Sequence, residues 1–175
     1  LRDEHGTLIR GEYIKVVITQ GNLSDTFTLQ TGDDGVARLT INYLPGTYQI
    51  TASYAGDDVY GSAKGSGTIT VNKVLTVISG FHYSKIPLNG VYTVVLTDMF
   101  GHRVTNATIK LNLYKGVLLK TYTGVTDGNG EVTFRIAQGE GTYLATFDFD
   151  GDIWYIDSTG AATIVVDSQT APGQV

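Results

Sequence analysis

Shifted against itself by 95 positions, this sequence matches without a gap. Gly46-Thr47-Tyr48 falls on Gly141-Thr142-Tyr143, Gly56-Asp57 on Gly151-Asp152, and Tyr60 on Tyr155. Gly35 meets Gly130, Leu1, Asp3 and Gly6 meet Leu96, Asp98 and Gly101, and Thr68-Ile69 with Val71 meets Thr163-Ile164 with Val166. About 23 of the first 71 positions are identical, where unrelated chains would share a few. A repeat of this kind constrains the fold strongly, because one structural plan must serve both copies.

Within each copy the apolar residues recur with period two, as half-buried strands require. Ile14, Val16 and Ile18 alternate with polar neighbours, as do Ile109, Leu111 and Leu113 in the second copy. The same holds for Ala37, Leu39 and Ile41 against Val132, Phe134 and Ile136. It holds again for Tyr48, Ile50, Ala52 and Tyr54 against Tyr143, Ala145, Phe147 and Phe149. Turn clusters such as Gly32-Asp33-Asp34-Gly35 and Asp127-Gly128-Asn129-Gly130 separate the runs. With 22 Gly, 11 Tyr and abundant Thr, the composition agrees, and no segment has a helical period.

The expected fold is all-β: two tandem Ig-like antiparallel β-sandwiches, the first lacking its opening strands. The second copy is predicted to hold seven strands, near 74–79, 90–98, 107–114, 118–126, 131–137, 142–149 and 161–167. The expected domains are 1–72, 73–167, and a tail or start of a following repeat at 168–175. Leu1 aligns with Leu96, so the first copy has no counterpart of residues 74–95. A five-strand remnant is expected to leave Ile14, Val16, Leu39 and Tyr48 on an uncovered face, with unpaired sheet edges.

Composition narrows the function classes. Twelve basic and 17 acidic side chains give a net charge of −5 with no Lys/Arg block, which points away from nucleic acid. No apolar run approaches the ~18–20 residues of a membrane span. The 42% hydrophobic and 17% charged content is that of a folded chain. Without cysteine there are no disulfides, thiol nucleophiles or Cys-ligated zinc.

Several stretches carry a family resemblance. Thr126-Asp127-Gly128-Asn129-Gly130-Glu131-Val132-Thr133-Phe134 resembles the middle of bacterial and archaeal Ig-like repeats. So does the run from Pro45-Gly46-Thr47-Tyr48 to Gly56-Asp57-Asp58-Val59-Tyr60 with the Thr-Ile-Thr-Val strand after it. Leu96-Thr97-Asp98-Met99-Phe100-Gly101-His102-Arg103-Val104 is similar to their opening strand and turn. The resemblance is to the tandem invasin- or adhesin-like Ig modules of prokaryotic surface proteins. It implies extracellular display at a cell surface, with neighbouring copies of the same protein or adjacent repeats as partners.

Candidate chemistry gathers at one turn. Asp148, Asp150 and Asp152 alternate beside Gly151 and could offer hard oxygen ligands to calcium. The first copy has Ser53 and Ala55 in place of the first two, and the long calcium-loop pattern is missing, so a solvated turn is the competing reading. Trp154 and Tyr155 follow the acids and form the candidate sugar-binding pair, although Tyr60 at the equivalent of Tyr155 fits a corner-packing role. Asn22-Leu23-Ser24 and Asn106-Ala107-Thr108 fit the glycosylation acceptor pattern, making Asn22 and Asn106 the acceptor candidates. His5, His82 and His102 do not recur between copies and lack zinc-site spacing, and no nucleophile elbow is present, so no catalytic residue is expected.

The function expected from these features is a non-enzymatic structural or adhesive module of a secreted surface protein or extracellular filament. It would assemble end to end in a repeat array or by strand donation, with glycans or another cell surface as further partners. The alternative is a carbohydrate-binding module using the aromatics beside the acidic turn.

Overall fold

Along Tyr13–Gln20, Val91–Asp98 and Thr108–Lys115, the period-two pattern of the sequence becomes an alternation of buried and more exposed side chains. The computed structural model describes residues 1–168, so residues 169–175 of the expected tail lie outside the described residues. The chain divides into two compact units, Leu1–Asn72 and Lys73–Val175. The first holds β1 (Tyr13–Gln20), β2 (Leu23–Gln30), β3 (Gly46–Tyr54) and β4 (Ala63–Val71). The second holds β5 (Thr76–Gly80), β6 (Tyr83–Ile86), β7 (Val91–Asp98), β8 (Thr108–Lys115), β9 (Val117–Val125), β10 (Glu131–Arg135), β11 (Gly141–Phe149) and β12 (Ser158–Val166). The described residues contain no helix.

In the second unit a three-stranded sheet, β10-β7-β5, faces a five-stranded one, β6-β12-β11-β8-β9. Ile109, Leu111 and Leu113 of β8 are fully buried between them, with Val94 and Leu96 of β7 and Ala145 and Phe147 of β11. The opening stretch is split: β5 pairs with β7 in one sheet, and β6 then crosses to the other. This sheet-crossing order is that of an Ig-like sandwich. It adds an eighth strand, β6, to the seven expected. It also corrects the purely antiparallel expectation, because β6 runs parallel to β12. Its direction follows from continuing the course of β5 after the bend at His82. A 2.7 Å ion pair between Lys85 and Asp167 fastens its exposed side.

The first unit repeats the larger sheet as β2-β1-β3-β4. Small hydrogen-bonded devices recur at the 95-residue offset and explain why those positions match. Tyr48 Oη donates to the Leu44 carbonyl (2.7 Å), and Tyr143 Oη to that of Gly139 (2.8 Å). Both are tyrosine corners, which pin the start of a strand to the loop before it. Thr31 Oγ1 accepts the Glu12 amide, and Thr126 Oγ1 accepts that of Ala107, each at 2.9 Å. Gly35 and Gly130 sit at φ +67° and +68°, and a Cβ there would lie 2.9 Å from the Leu1 carbonyl or 2.7 Å from that of Leu96.

One expected strand is absent. Residues 36–41, counterpart of β10, form no ladder, although Ala37, Leu39 and Ile41 still pack against the sheet. The reason is a missing partner. β10 exists by pairing with β7, and among the described residues the first unit has no counterpart of β7. The loop 32–45 nevertheless covers more than expected: Ile14, Val16 and Tyr48 are buried, and Leu39 is half-buried. Among the described residues, the segment 36–41 takes the place that β10 holds in the second unit.

Candidate functional site

The acidic turn follows β11. Backbone amides of Trp154 and Tyr155 donate to Asp152 Oδ1 at 2.7 and 2.8 Å, and the Asp152 amide donates to the Tyr155 carbonyl at 3.1 Å. In the first unit Val59 and Tyr60 donate to Asp57 Oδ1 at 2.7 and 2.6 Å, and Asp57 donates to Tyr60 at 2.9 Å. Those amides, Tyr60 first and then Val59, hold the Asp57 carboxyl below the ordinary value of 3.8. Gly56 and Gly151 precede them at φ +87° and +77°, where a Cβ would run into backbone across the turn. Asp152 is thus one of two equivalent turn caps.

The other two acids face elsewhere. Asp148 Oδ2 accepts Asn112 Nδ2 at 2.8 Å across the outer face, and Asn112 Oδ1 in turn accepts Thr121 Oγ1 at 2.7 Å. Asp150 pairs with Lys110, and the hydrogen bond to its carboxylate pushes the Lys110 ammonium pKa up. Among the described residues no group of three or more His, Asp or Glu is placed to hold a metal ion. Asp148, Asp150 and Asp152 are close in sequence and carry three separate structural contacts.

The aromatic pair is also divided. Trp154 is 42% exposed, whereas Tyr155 packs against the core of the second unit, as Tyr60 packs against that of the first. The same turn holds the entry of the second unit: the Val74 amide donates to Trp154 (2.9 Å), the Ile156 amide to Val74 (2.8 Å), and Lys73 Nζ to the Asp152 carbonyl. Asn22 is exposed in the tight turn joining β1 to β2. Asn106 is exposed at φ +58°, where the first copy has Gly11 at +75°, so the left-handed backbone accounts for its residue type.

Two features were not found by reading the sequence. The first is a His102–Asp98 contact, Nδ1 to Oδ2 at 2.8 Å, after β7. Asp98 also accepts the amides of Phe100 and His102. Burial acts to raise the Asp98 pKa, but the bond from His102 and the two amides outweigh it and the pKa falls. Asp3 caps the equivalent turn by accepting the amides of His5 and Thr7. The matching Asp3/Asp98 and Gly6/Gly101 were the available signal.

The second is a groove of about 510 Å³ in the first unit. Ile14, Val16 and Ile18 of β1 and Ile50 and Ala52 of β3 form its floor, and residues 35–41 form one wall. Tyr54 lines one end, and its buried hydroxyl has no hydrogen-bond partner among the described residues. Burial first, and then the negative charge of the nearby Asp57 carboxylate, push that phenol up to about 12.

The chain is thus an all-β protein of tandem Ig-like β-sandwich repeats, the second with both sheets and the first, among the described residues, with the larger sheet alone. No protein-family model matches it, and no curated protein does. Among solved structures, 23 chains match. One is the crystal structure of the chicken CNTN1 FN1-FN3 domains, 11% identical, with a TM-score of 0.36, covering 89% of this chain and 57% of that one. The chain therefore matches less than two thirds of the length of that structure.

Proposed function

We propose that this chain is a non-catalytic structural or adhesive module of a secreted cell-surface protein or extracellular filament, joined end to end with neighbouring copies or adjacent repeats. What supports this reading is the duplicate use of its polar residues. Asp57 and Asp152, Asp3 and Asp98, Tyr48 and Tyr143 each perform the same structural task in both units. Residues that serve both copies alike build a unit to be repeated.

The test is made on cells of the source organism. An antibody raised against the 175-residue chain should label intact cells, and deletion of the gene should reduce surface attachment or remove a surface filament. Labelling that requires lysis, with attachment unchanged in the deletion strain, would reject the reading. The carbohydrate alternative needs Trp154 and Tyr155 as one open platform, and the packing of Tyr155 against the core argues against that.

A further inference from the structure

One hairpin is built differently in the two copies. In the first unit β1 and β2 pair residue for residue, from Tyr13 with Gln30 to Gln20 with Leu23, without a shift. In the second, the pairing of β8 with β9 shifts between Leu113 and Tyr114, which leaves Leu119 as the extra residue of a bulge. Both β2 and β9 stand at an end of their sheet, so each is an edge by the plan of the repeat. Each also carries one charge on its core side, Asp25 opposite Ile18 and Lys120 opposite Leu113. A straight edge is a template for pairing with another chain, and a bulge is one device that blunts it. β9 has that device and β2 does not.

Where the bulge is missing, an acceptor triplet stands instead. Asn22-Leu23-Ser24 covers the end of the turn and the start of β2, where the second copy has Val117-Leu118-Leu119. Asn22 and Ser24 are exposed, and among the described residues neither side chain makes a hydrogen bond. Nor does Asn22 have the positive φ that accounts for asparagine at position 106. At other turns Asp3, Asp57, Asp98, Asp127 and Asp152 all accept backbone amides. Asn22 and Ser24 have no such structural task.

We propose that Asn22 carries an N-linked glycan, which shields the free edge of β2. The chemistry is glycosyl transfer from a lipid-linked oligosaccharide diphosphate. The bond between Asn22 Nδ2 and the sugar C1 forms, and the bond from C1 to the diphosphate oxygen breaks. The lipid diphosphate leaves with the electron pair, and one amide proton passes to a base of the transferase. The Ser24 hydroxyl completes the triplet that such transferases read. A sugar chain rooted at this turn is bulky and hydrated, and it stands at the head of β2, where an incoming strand would begin its ladder.

This inference rests on the proposed export, because the donor and its transferase act on exported chains; surface display is tested separately with the antibody. Protein recovered from source cells is digested, and the peptide holding Asn22 is read by tandem mass spectrometry. A mass increment of whole sugar residues is expected on Asn22, lost in Ser24→Ala and kept in Ser24→Thr. Ser24 faces solvent, so neither change should move the thermal midpoint. The Ser24→Ala protein should self-associate in sedimentation, with slowed amide exchange along Leu23–Gln30. Unmodified Asn22 in protein that the antibody finds at the surface would overturn this proposal alone. Unmodified Asn22 in protein confined to the cytoplasm would overturn both readings. A glycan that survives Ser24→Ala would overturn the assignment to the triplet. A Ser24→Ala protein as monomeric as the glycosylated one would overturn the shielding role.

Discussion

Tyr92 stacks on Phe147 across the second unit, with ring centroids 5.8 Å apart and planes inclined by 25°. Among the described residues the first unit has neither ring: position 52 is alanine, and β7 has no counterpart. Behind Phe147 the backbone of Gly160 leaves room for the ring, and a Cβ there would meet it at 2.6 Å. The equivalent Gly65 has nothing within 4 Å of such a Cβ. The first unit keeps the glycine that makes space and lacks the ring that uses it.

Ala52→Phe should therefore fill part of the groove. The expected gain is about 0.5–2 kcal/mol in the stability of the first unit, the usual range for filling a cavity without strain. Urea unfolding followed by NMR signals of the first unit checks this.

Phe134→Ala should cost the second unit about 3–5 kcal/mol, since it removes a buried ring packed near Tyr122 and leaves a cavity. Thr133 faces outward and shares a 2.9 Å hydroxyl contact with Thr93 across the strands. Thr133→Ala should cost about 1 kcal/mol or less. Equal costs in thermal unfolding would mean that the strand register is wrong.

Acid should weaken the first unit through Asp57. The amides of Tyr60 and Val59 favour its ionised form, so the folded pKa lies below 3.8. The resulting stabilisation is complete above the unfolded value and is lost as pH falls through the folded one. Asp57→Asn should lower the urea midpoint at neutral pH and flatten the decline below about pH 4. A midpoint profile parallel to that of the unaltered protein would contradict this.

Tyr54→Phe should be neutral or stabilising. Among the described residues the buried hydroxyl makes no hydrogen bond of normal length, only a weaker interaction with the Asp57 carboxylate, and the second copy has Phe149 at that place. A large loss in the thermal midpoint of the first unit would reveal a partner for the hydroxyl.

Strands and turns were legible because the sequence states them twice. Ile14-Lys15 with Ile109-Lys110, and Tyr48 with Tyr143, fix two registers before any coordinate is known. Residues 36–41 show what pattern alone omits: Ala37, Leu39 and Ile41 alternate correctly, but a strand also needs a neighbour for its backbone. Tyr83–Ile86 was missed for the opposite reason, since four residues with one buried side chain carry little periodicity while β12 supplies the ladder. At the acidic turn, sequence density showed three aspartates together and could not show that they face Asn112, Lys110 and their own turn. The His102–Asp98 contact depends on the turn bringing positions four apart together, which spacing alone does not give.

The parallel pairing of β6 with β12 has a mechanical consequence. These strands lie toward opposite ends of the second unit's sequence, so tension along the chain slides one past the other. Their ladder, with the flanking bonds from Thr163 to His82 and from Asp167 to Ile86, is then loaded in shear, and its bonds must fail together. Among the described residues β4, the counterpart of β12, has β3 as its sole ladder partner, an antiparallel one. Under a steady pull on these 175 residues, the first unit should extend at lower force than the second.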